Sequence, residues 1–529
     1  MSAPRPDNPR TLQQLAQVRA YHDGTKHRFD RYARSLGYLD WASQPDPFRS
    51  FAGSPLALLP PHPESTTRSQ IGVMLRRSLG LTAWKVFRAS RWSLRANPSS
   101  GNLHPTEAYV VSGPIEGLCA QASVHHYAAD RHGLEQRCLL DAGLPPETFL
   151  IALTSIHWRE SWKYGERAFR YCQHDVGHAI AAIALAAESV GWRARLLPDW
   201  SSADIASIAG VDRDADFVDA EREEPACIMV VGPDDPVLDR DALVRAARNG
   251  RWVGRASQLS EDHVEWTFID EVATATRRSE PVPPVEIALR DIVSDEAGYP
   301  PQLFLQRRSA VAFDGRSSLS RAAFLGIIRA LVATPSPPWS ALWWTPRIHL
   351  VLFVHRVDDV EPGLYLLTRE HESGARLVSA LGRDFLLQPV DEMTLLVRLA
   401  RGDCRQLARR VSCDQDIAAD GFFSLGMIAD FDGSLTEHGP AFYRQLFWEA
   451  GVVGQVLYLE AESAGARGTG IGCFFDDPVH DVLGLSGHAF QSLYHFAIGL
   501  PIEDARLSTE PGYVWESLNL GPVGRSNPP

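Results

Sequence analysis

The chain repeats itself at a distance. Aligning Asp175-Val176-Gly177 with Glu449-Ala450-Gly451 lays Arg170 on Arg444 and brings two long, small-residue apolar stretches, 171–190 and 443–463, into register without a gap. Each stretch lies downstream of the same phrase, Arg76-Arg77-Ser78 in the first half and Arg307-Arg308-Ser309 in the second. Two copies of one fold in one polypeptide is the simplest reading. Length agrees: 529 residues exceed what one core fills and suit two units of roughly 200 to 250 residues.

Both halves follow one order of elements. In the first, a helix around Arg76 leads through a loop at 97–105 to a strand at 108–111, then to the long helix and a closing strand at 226–231. The second repeats this with a helix after Arg307-Arg308-Ser309, a strand at 348–353, the long helix, and a strand near 494–498. This alternation predicts an α+β fold. The expected divisions are an N-terminal arm over 1–65, a first domain over 66–270, a linker over 271–300, a second domain over 301–510 and a tail over 511–529. The arm should open with a helical stretch at 12–38, and Pro281-Val282-Pro283-Pro284 suits a semi-rigid linker.

The rest of the composition excludes more than it selects. A formal net charge of −13 gives no global field for nucleic acid or an anionic membrane, so any anion site must be local. Seven cysteines without a C-x-x-C pair argue against a disulfide framework or a zinc ribbon and fit a reducing cytoplasm. The longest apolar run, 179–187, is nine residues, short of the about 20 that span a bilayer. His174 and His178 stand four apart on a helix but lack a third ligand, so helix packing is expected of them and no metal. No nucleophile elbow, Walker loop or dinucleotide fingerprint occurs.

Four motifs carry possible chemistry, and they are shared unequally between the halves. Two arginines and a hydroxyl at a helix start would receive a phosphate monoester. Gly468, Gly470 and Gly472 would let the backbone approach a flat ring or a phosphate, whereas the matching stretch of the first half, 193–198, has no glycine. Pro98-Ser99-Ser100-Gly101-Asn102 packs short donors into a turn suited to the edge of a heterocycle; the second half offers the bulky Pro335-Ser336-Pro337-Pro338-Trp339, then Trp343 and Trp344. Lys163-Tyr164 pairs an ammonium with a phenol, and desolvation there would make the lysine a usable base. Its aligned positions are Glu437 and His438.

These residues resemble the FMN-dependent nitroreductase superfamily, and within it the SagB/ThcOx-type azoline dehydrogenases of thiazole and oxazole peptide biosynthesis. The resemblance covers roughly 70–250 and 300–505. It implies two tandem nitroreductase-like three-layer domains forming an intrachain pseudo-dimer, because members of the family are dimers that hold FMN between subunits. By resemblance, Arg307, Arg308, Ser309, Gly470, Ile471 and Gly472 would face Pro98, Ser99, Ser100, Gly101 and Asn102 around one FMN, and Lys163 and Tyr164 would be the catalytic pair. The mirror site would keep Arg76, Arg77 and Ser78 but be degenerate, giving one flavin per chain.

The function expected is oxidation of a peptide-borne or small heterocyclic substrate by hydride transfer to FMN, with a modifying-enzyme partner. An NAD(P)H-dependent nitro or quinone reductase is one alternative; a non-catalytic flavoprotein or scaffold of a peptide-modifying complex is another. The fused chain can be a monomer or assemble further.

Overall fold

The computed structural model describes residues 8–60, 62–144, 148–233, 236–282, 287, 298–390 and 395–519. At its centre two long helices cross, Ala168–Glu188 and Phe442–Ser463. Both are buried almost all round, as expected of helices rich in Ala, Val and Leu on every face. They cross where Gly177 meets Gly451. A Cβ on Gly177 would lie 2.1 Å from the Trp448 carbonyl oxygen, and one on Gly451 would lie 2.3 Å from that of His174. Gly177 aligns with Gly451, and His174 with Trp448. The contact is therefore reciprocal, the signature of an isologous interface built within one chain.

Each long helix lies on the inner face of one antiparallel sheet, and the two sheets share one seven-strand order, to which the first adds Leu56–Leu58 beside Gly133–Leu139. The first runs Arg251–Trp252, Gly133–Leu139, Ser123–Ala128, Thr106–Ser112, Phe149–Ser155, Glu224–Gly232, Arg193–Leu196. The second runs Gln388–Pro389, Leu396–Arg401, Gly363–Leu367, Ile348–Val354, Phe423–Asp430, Phe490–Gly499, Arg467–Ile471. One apolar core joins both inner faces through the long helices, and separate cores on the outer faces pack the sheets against short helices. Two three-layer α+β units thus share their middle.

Several expectations need correction. The first helix covers Pro9–Gly24 rather than 12–38 and stops at Thr25, whose hydroxyl bonds the Tyr21 carbonyl. Neither Arg-Arg-Ser phrase starts a helix. Arg76-Arg77-Ser78 end the helix Thr67–Ser78, and Arg307 caps the C-terminus of Pro301–Gln306. Basic residues there complement the negative end of the helix dipole, so no helix N-terminus presents N–H groups to an anion at either place. The expected glycine loop is an edge strand, Arg467–Ile471, paired with Phe490–Gly499.

The helix Thr267–Ala275 runs past residue 271, where the linker was expected to begin. Its C-terminal Thr276 bonds the Val272 carbonyl as Thr25 bonds that of Tyr21, and Arg444 bonds the Thr276 hydroxyl as Arg170 bonds that of Thr25. That helix is therefore the second unit's counterpart of the N-terminal helix. Residues 283–286 and 288–297 of the expected linker, and 1–7 and 61 of the arm, lie outside the described residues. The strand Ser508–Pro511, which straddles the expected boundary between second domain and tail, joins the first unit's hairpin Leu81–Phe87/Ser90–Arg95, and Val514–Asn519 of the expected tail is helical. Residues 520–529 lie outside the described residues.

Candidate functional site

A cavity of ≈ 440 Å³ opens between the two units. Its wall contains Arg307, Arg308, Ser309, Gly470, Ile471 and Gly472 of the second half facing Pro98, Ser99, Ser100, Gly101, Asn102 and Tyr164 of the first. The two sets, far apart in sequence, meet because the crossing of the long helices brings the two units together at the pseudo-two-fold seam.

The second-half wall is organised by Tyr458, on the long helix. Its hydroxyl lies 2.8 Å from Ser309 Oγ and accepts from Gly470 N at 2.9 Å, and the Arg307 guanidinium stacks 5.0 Å over its ring. Arg307 reaches across the seam, donating to the Ala96 and Arg95 carbonyls at 2.7 and 2.9 Å. Its Nη1 is buried with no partner. Arg308 donates to Thr82 Oγ1 at 2.9 Å. Among the described residues no carboxylate ion-pairs with the guanidinium of Arg95, Arg307 or Arg308, although all three stand on this cavity. Burial and the neighbouring Arg307 and Arg467 pull Arg308 down to about 10. A cluster of desolvated, mutually repelling cations is relieved by a bound anion.

The glycines serve close packing inside the protein. A Cβ on Gly470 would collide with the Tyr494 hydroxyl at 1.9 Å, and one on Gly472 with the Tyr171 ring at 2.6 Å. Tyr171 also bonds the Gly472 carbonyl at 3.1 Å. The edge strand is thereby pinned, with its outer backbone rim toward the cavity.

The first-half loop is held from within. The Asn102 amide donates to the Ser93 carbonyl at 2.8 Å and its oxygen faces His104 Nε2 at 3.0 Å, while Ser99 Oγ accepts from His104 N. Asn102 is thus a fastening of the loop, and its amide is not free for a ring edge. Asn97, absent from the expected set, has a buried Oδ1 without a partner on this cavity. Gly101 takes φ 59°, and a Cβ there would lie 2.7 Å from the Tyr164 hydroxyl and 3.2 Å from Lys163 Nζ. The catalytic candidates therefore meet against the backbone of the loop. Lys163 itself is exposed and, unlike Tyr164, is not among the residues lining the cavity. Tyr164 is pushed up by burial and by Glu160, which keeps it a phenol and a proton donor.

Beneath the loop lie two carboxyls that sequence reasoning missed. Asp175 Oδ1 accepts from Ser100 N at 3.2 Å, and its Oδ2 is unpartnered. Glu160 is fully buried and neither of its oxygens has a partner. Burial raises Asp175 to about 7, and burial with the nearby Asp175 raises Glu160. Such a pair keeps a proton at neutral pH. An acidic residue inside an apolar helix pattern was the available signal.

The mirror position is closed. Trp200, Trp343 and Trp448 line a void of ≈ 20 Å³ with Arg278 and Arg444, about one water's room. Trp448 stands where the first half has His174, which stacks on Tyr494 at 4.2 Å. Arg76 and Arg77 do not line this void. Arg76 ion-pairs with Glu516 beneath Tyr513, and Arg77 bonds Ser189. The Arg278 of a third Arg-Arg-Ser phrase enters the void instead, stacked on Trp343 at 5.1 Å.

Comparison with known proteins places the fold. The nitroreductase family model matches residues 64–233, which carry the first unit's small-residue loop and long helix. No curated protein matches the chain. A crystal structure described as a nitroreductase from Anabaena variabilis superposes with a TM-score of 0.68 at 19% identity, covering 92% of this chain and 99% of that one. Smaller overlaps occur with the microcin synthetase complex of E. coli (TM-score 0.29, 16% identity, 42% of this chain and 79% of that one). A protein described as a nitroreductase from Ralstonia eutropha overlaps similarly (TM-score 0.28, 17% identity, 41% and 89%). The architecture is two tandem nitroreductase-like units forming a pseudo-dimer in one chain. Among the described residues no helix is long and apolar enough to cross a membrane, and no group of three His, Cys, Asp or Glu side chains could hold a metal ion.

Proposed function

We propose that the chain binds one FMN in the seam cavity and oxidises a peptide-borne or small heterocyclic substrate. The observation that carries this reading is the cluster of Arg307, Arg308 and Arg95, whose guanidiniums ion-pair with no carboxylate among the described residues, on a cavity that the small-residue loop also lines. The orphaned Arg307 Nη1 fits a phosphate monoester. Arg307, Arg308 and Ser309 would hold that phosphate, and Gly470, Ile471 and Gly472 would face Pro98, Ser99, Ser100, Gly101 and Asn102 across the ring. FMN when bound supplies two-electron acceptance at its ring system.

The chain's own part is proton handling and exclusion of water. Lys163, exposed at the loop, would take a proton from the substrate carbon's neighbour; Tyr164, held as a phenol beside Gly101, would position the substrate by donation. Glu160 and Asp175 would keep the floor of the site protonated. The Trp-filled mirror void supports one flavin per chain. A partner that delivers the heterocyclic peptide belongs to the same proposal.

The exposure of Lys163 favours a second reading, an NAD(P)H-dependent nitro or quinone reductase, which needs an open face and no base. One experiment tests both: release and quantify flavin from purified protein, then assay an azoline peptide under dioxygen against a nitroaromatic with NAD(P)H. One FMN per chain with azoline oxidation bears out the first reading. Nitroaromatic turnover alone selects the second, and no flavin removes both.

A further inference from the structure

Two cysteines that the proposed chemistry does not use stand together at the edge of the cavity. Cys473 follows the pinned edge strand and lines the cavity. Cys413 lies in the turn after the helix Arg405–Val411. Two bonds lock that turn alongside 473–475: Phe475 N donates to the Val411 carbonyl at 2.9 Å, and Gln415 Nε2 donates to the Cys473 carbonyl at 2.8 Å. They set the Cys413 side chain beside the Cys473 sulfur.

The N-terminal segment completes the surroundings. His27 Nδ1 accepts from Ala33 N at 2.9 Å, so the ring proton sits on Nε2, and the imidazole stands close to the Cys473 sulfur. The neighbouring Cys413 thiol, then His27 and the charge of Arg167, pull the Cys473 thiol down to about 5, while the contact with Cys473 and then burial push Cys413 up. A sulfur anionic at neutral pH, reachable from a cavity and beside a second thiol, has the arrangement of a peroxide-reactive cysteine with a resolving partner. Of the other five cysteines, Cys138, Cys172, Cys227 and Cys404 are buried, and Cys119 is half-buried and donates to the Gly113 carbonyl.

We propose that Cys473 and Cys413 form a peroxide-reactive pair that closes to an intrachain disulfide on the cavity wall. The Cys473 sulfur attacks one oxygen of hydrogen peroxide; the O–O bond breaks, and hydroxide leaves and takes up a proton as water. Cys473 becomes a sulfenic acid and the peroxide is reduced by two electrons. The Cys413 sulfur, losing its proton to the departing oxygen, then attacks the sulfenyl sulfur. The S–O bond breaks, the S–S bond forms, and a second water leaves. In sum, two thiols and one peroxide give one disulfide and two waters.

The test is a thiol count on the full chain before and after stoichiometric hydrogen peroxide, with peptide mass mapping. Titratable thiols in denaturant should fall from seven to five, and the peptides containing 413 and 473 should appear joined and lighter by two hydrogens. Cys413→Ser should stop the reaction at a dimedone-reactive sulfenic acid on Cys473. Seven thiols remaining in the wild-type chain, or oxidation of Cys119 as fast as of Cys473, would overturn the proposal. The count needs no flavin and no substrate, so its outcome stands apart from the function proposed above.

Discussion

The hydroxyl of Tyr171 donates to the carbonyl of Gly472 at 3.1 Å, tying the long helix of the first unit to the edge strand of the second. The same hydroxyl accepts from Arg167 Nε at 3.1 Å. Tyr171→Phe keeps the ring that Gly472 packs against and removes both bonds. It should cost about 1 kcal/mol in urea unfolding, and Gly472→Ala should cost more, because its Cβ meets the ring at 2.6 Å. Equal stability of Tyr171→Phe and wild type would show that the tie carries no weight.

The two Arg-Arg-Ser phrases should separate cleanly in flavin content. Arg308→Ala removes a cation of the seam cluster, a loss of about 2 kcal/mol or roughly thirtyfold in flavin affinity. Arg77, bonded to Ser189, stands outside the cavity, so Arg77→Ala should keep its flavin. The check is flavin absorbance released per mole of protein; loss in Arg77→Ala with retention in Arg308→Ala would reverse the assignment.

Lys163→Ala and Tyr164→Phe should both retain the yellow colour. Turnover on an azoline substrate should drop roughly a hundredfold or more in each if they hold and move the proton. Undiminished turnover of Lys163→Ala would remove it from the reaction and favour the reductase reading.

Asp175 predicts a pH dependence of stability. Its folded carboxyl titrates at about 7 against 3.8 ordinarily. Below roughly pH 4 both states are protonated and its contribution is intact. As pH rises from about 4 to about 7 the unfolded chain gives up its proton first, so stability falls, by at most on the order of 4 kcal/mol, and then levels off. Asp175→Asn keeps an acceptor for Ser100 N and does not titrate. The melting temperature of wild type relative to this variant should decline across that window; a constant difference would mean the carboxyl is not held neutral.

The crossing glycines predict a large loss of stability. Gly177→Ala would force the two long helices apart at a 2.1 Å contact with the Trp448 carbonyl and should cost about 3 kcal/mol. A variant with wild-type denaturation midpoint would contradict the backbone contact.

Much of this was legible in the sequence because it is periodic or compositional. The long helices are rich in small apolar residues, and the gap-free match of Arg170 with Arg444 marks the pseudo-two-fold in the sequence itself. The seam cavity followed from that duplication together with the unequal share of small residues. What failed was direction and depth. Arg76-Arg77-Ser78 reads alike at either end of a helix, and its partner Glu516 is 440 residues away. Gly468 and Gly470 recur every second residue, the period of a strand, a signal overlooked in favour of a loop. Lys163 has aromatic neighbours in sequence, but the exposure of a side chain on a short helix depends on which face that helix turns outward. Tyr458, Glu160 and Asp175 matter through contacts that no local pattern encodes.

Trp448 occupying the place of His174 has an evolutionary meaning. When two identical chains pair, one gene must serve both pockets, so any side chain that plugs one plugs the other. Joining the halves end to end lifts that shared bookkeeping: the copy that no longer needs a pocket is free to drift toward tryptophan and tighter packing while its sibling keeps its loop. In a fused chain, a change in one copy of the repeat needs no matching change in the other.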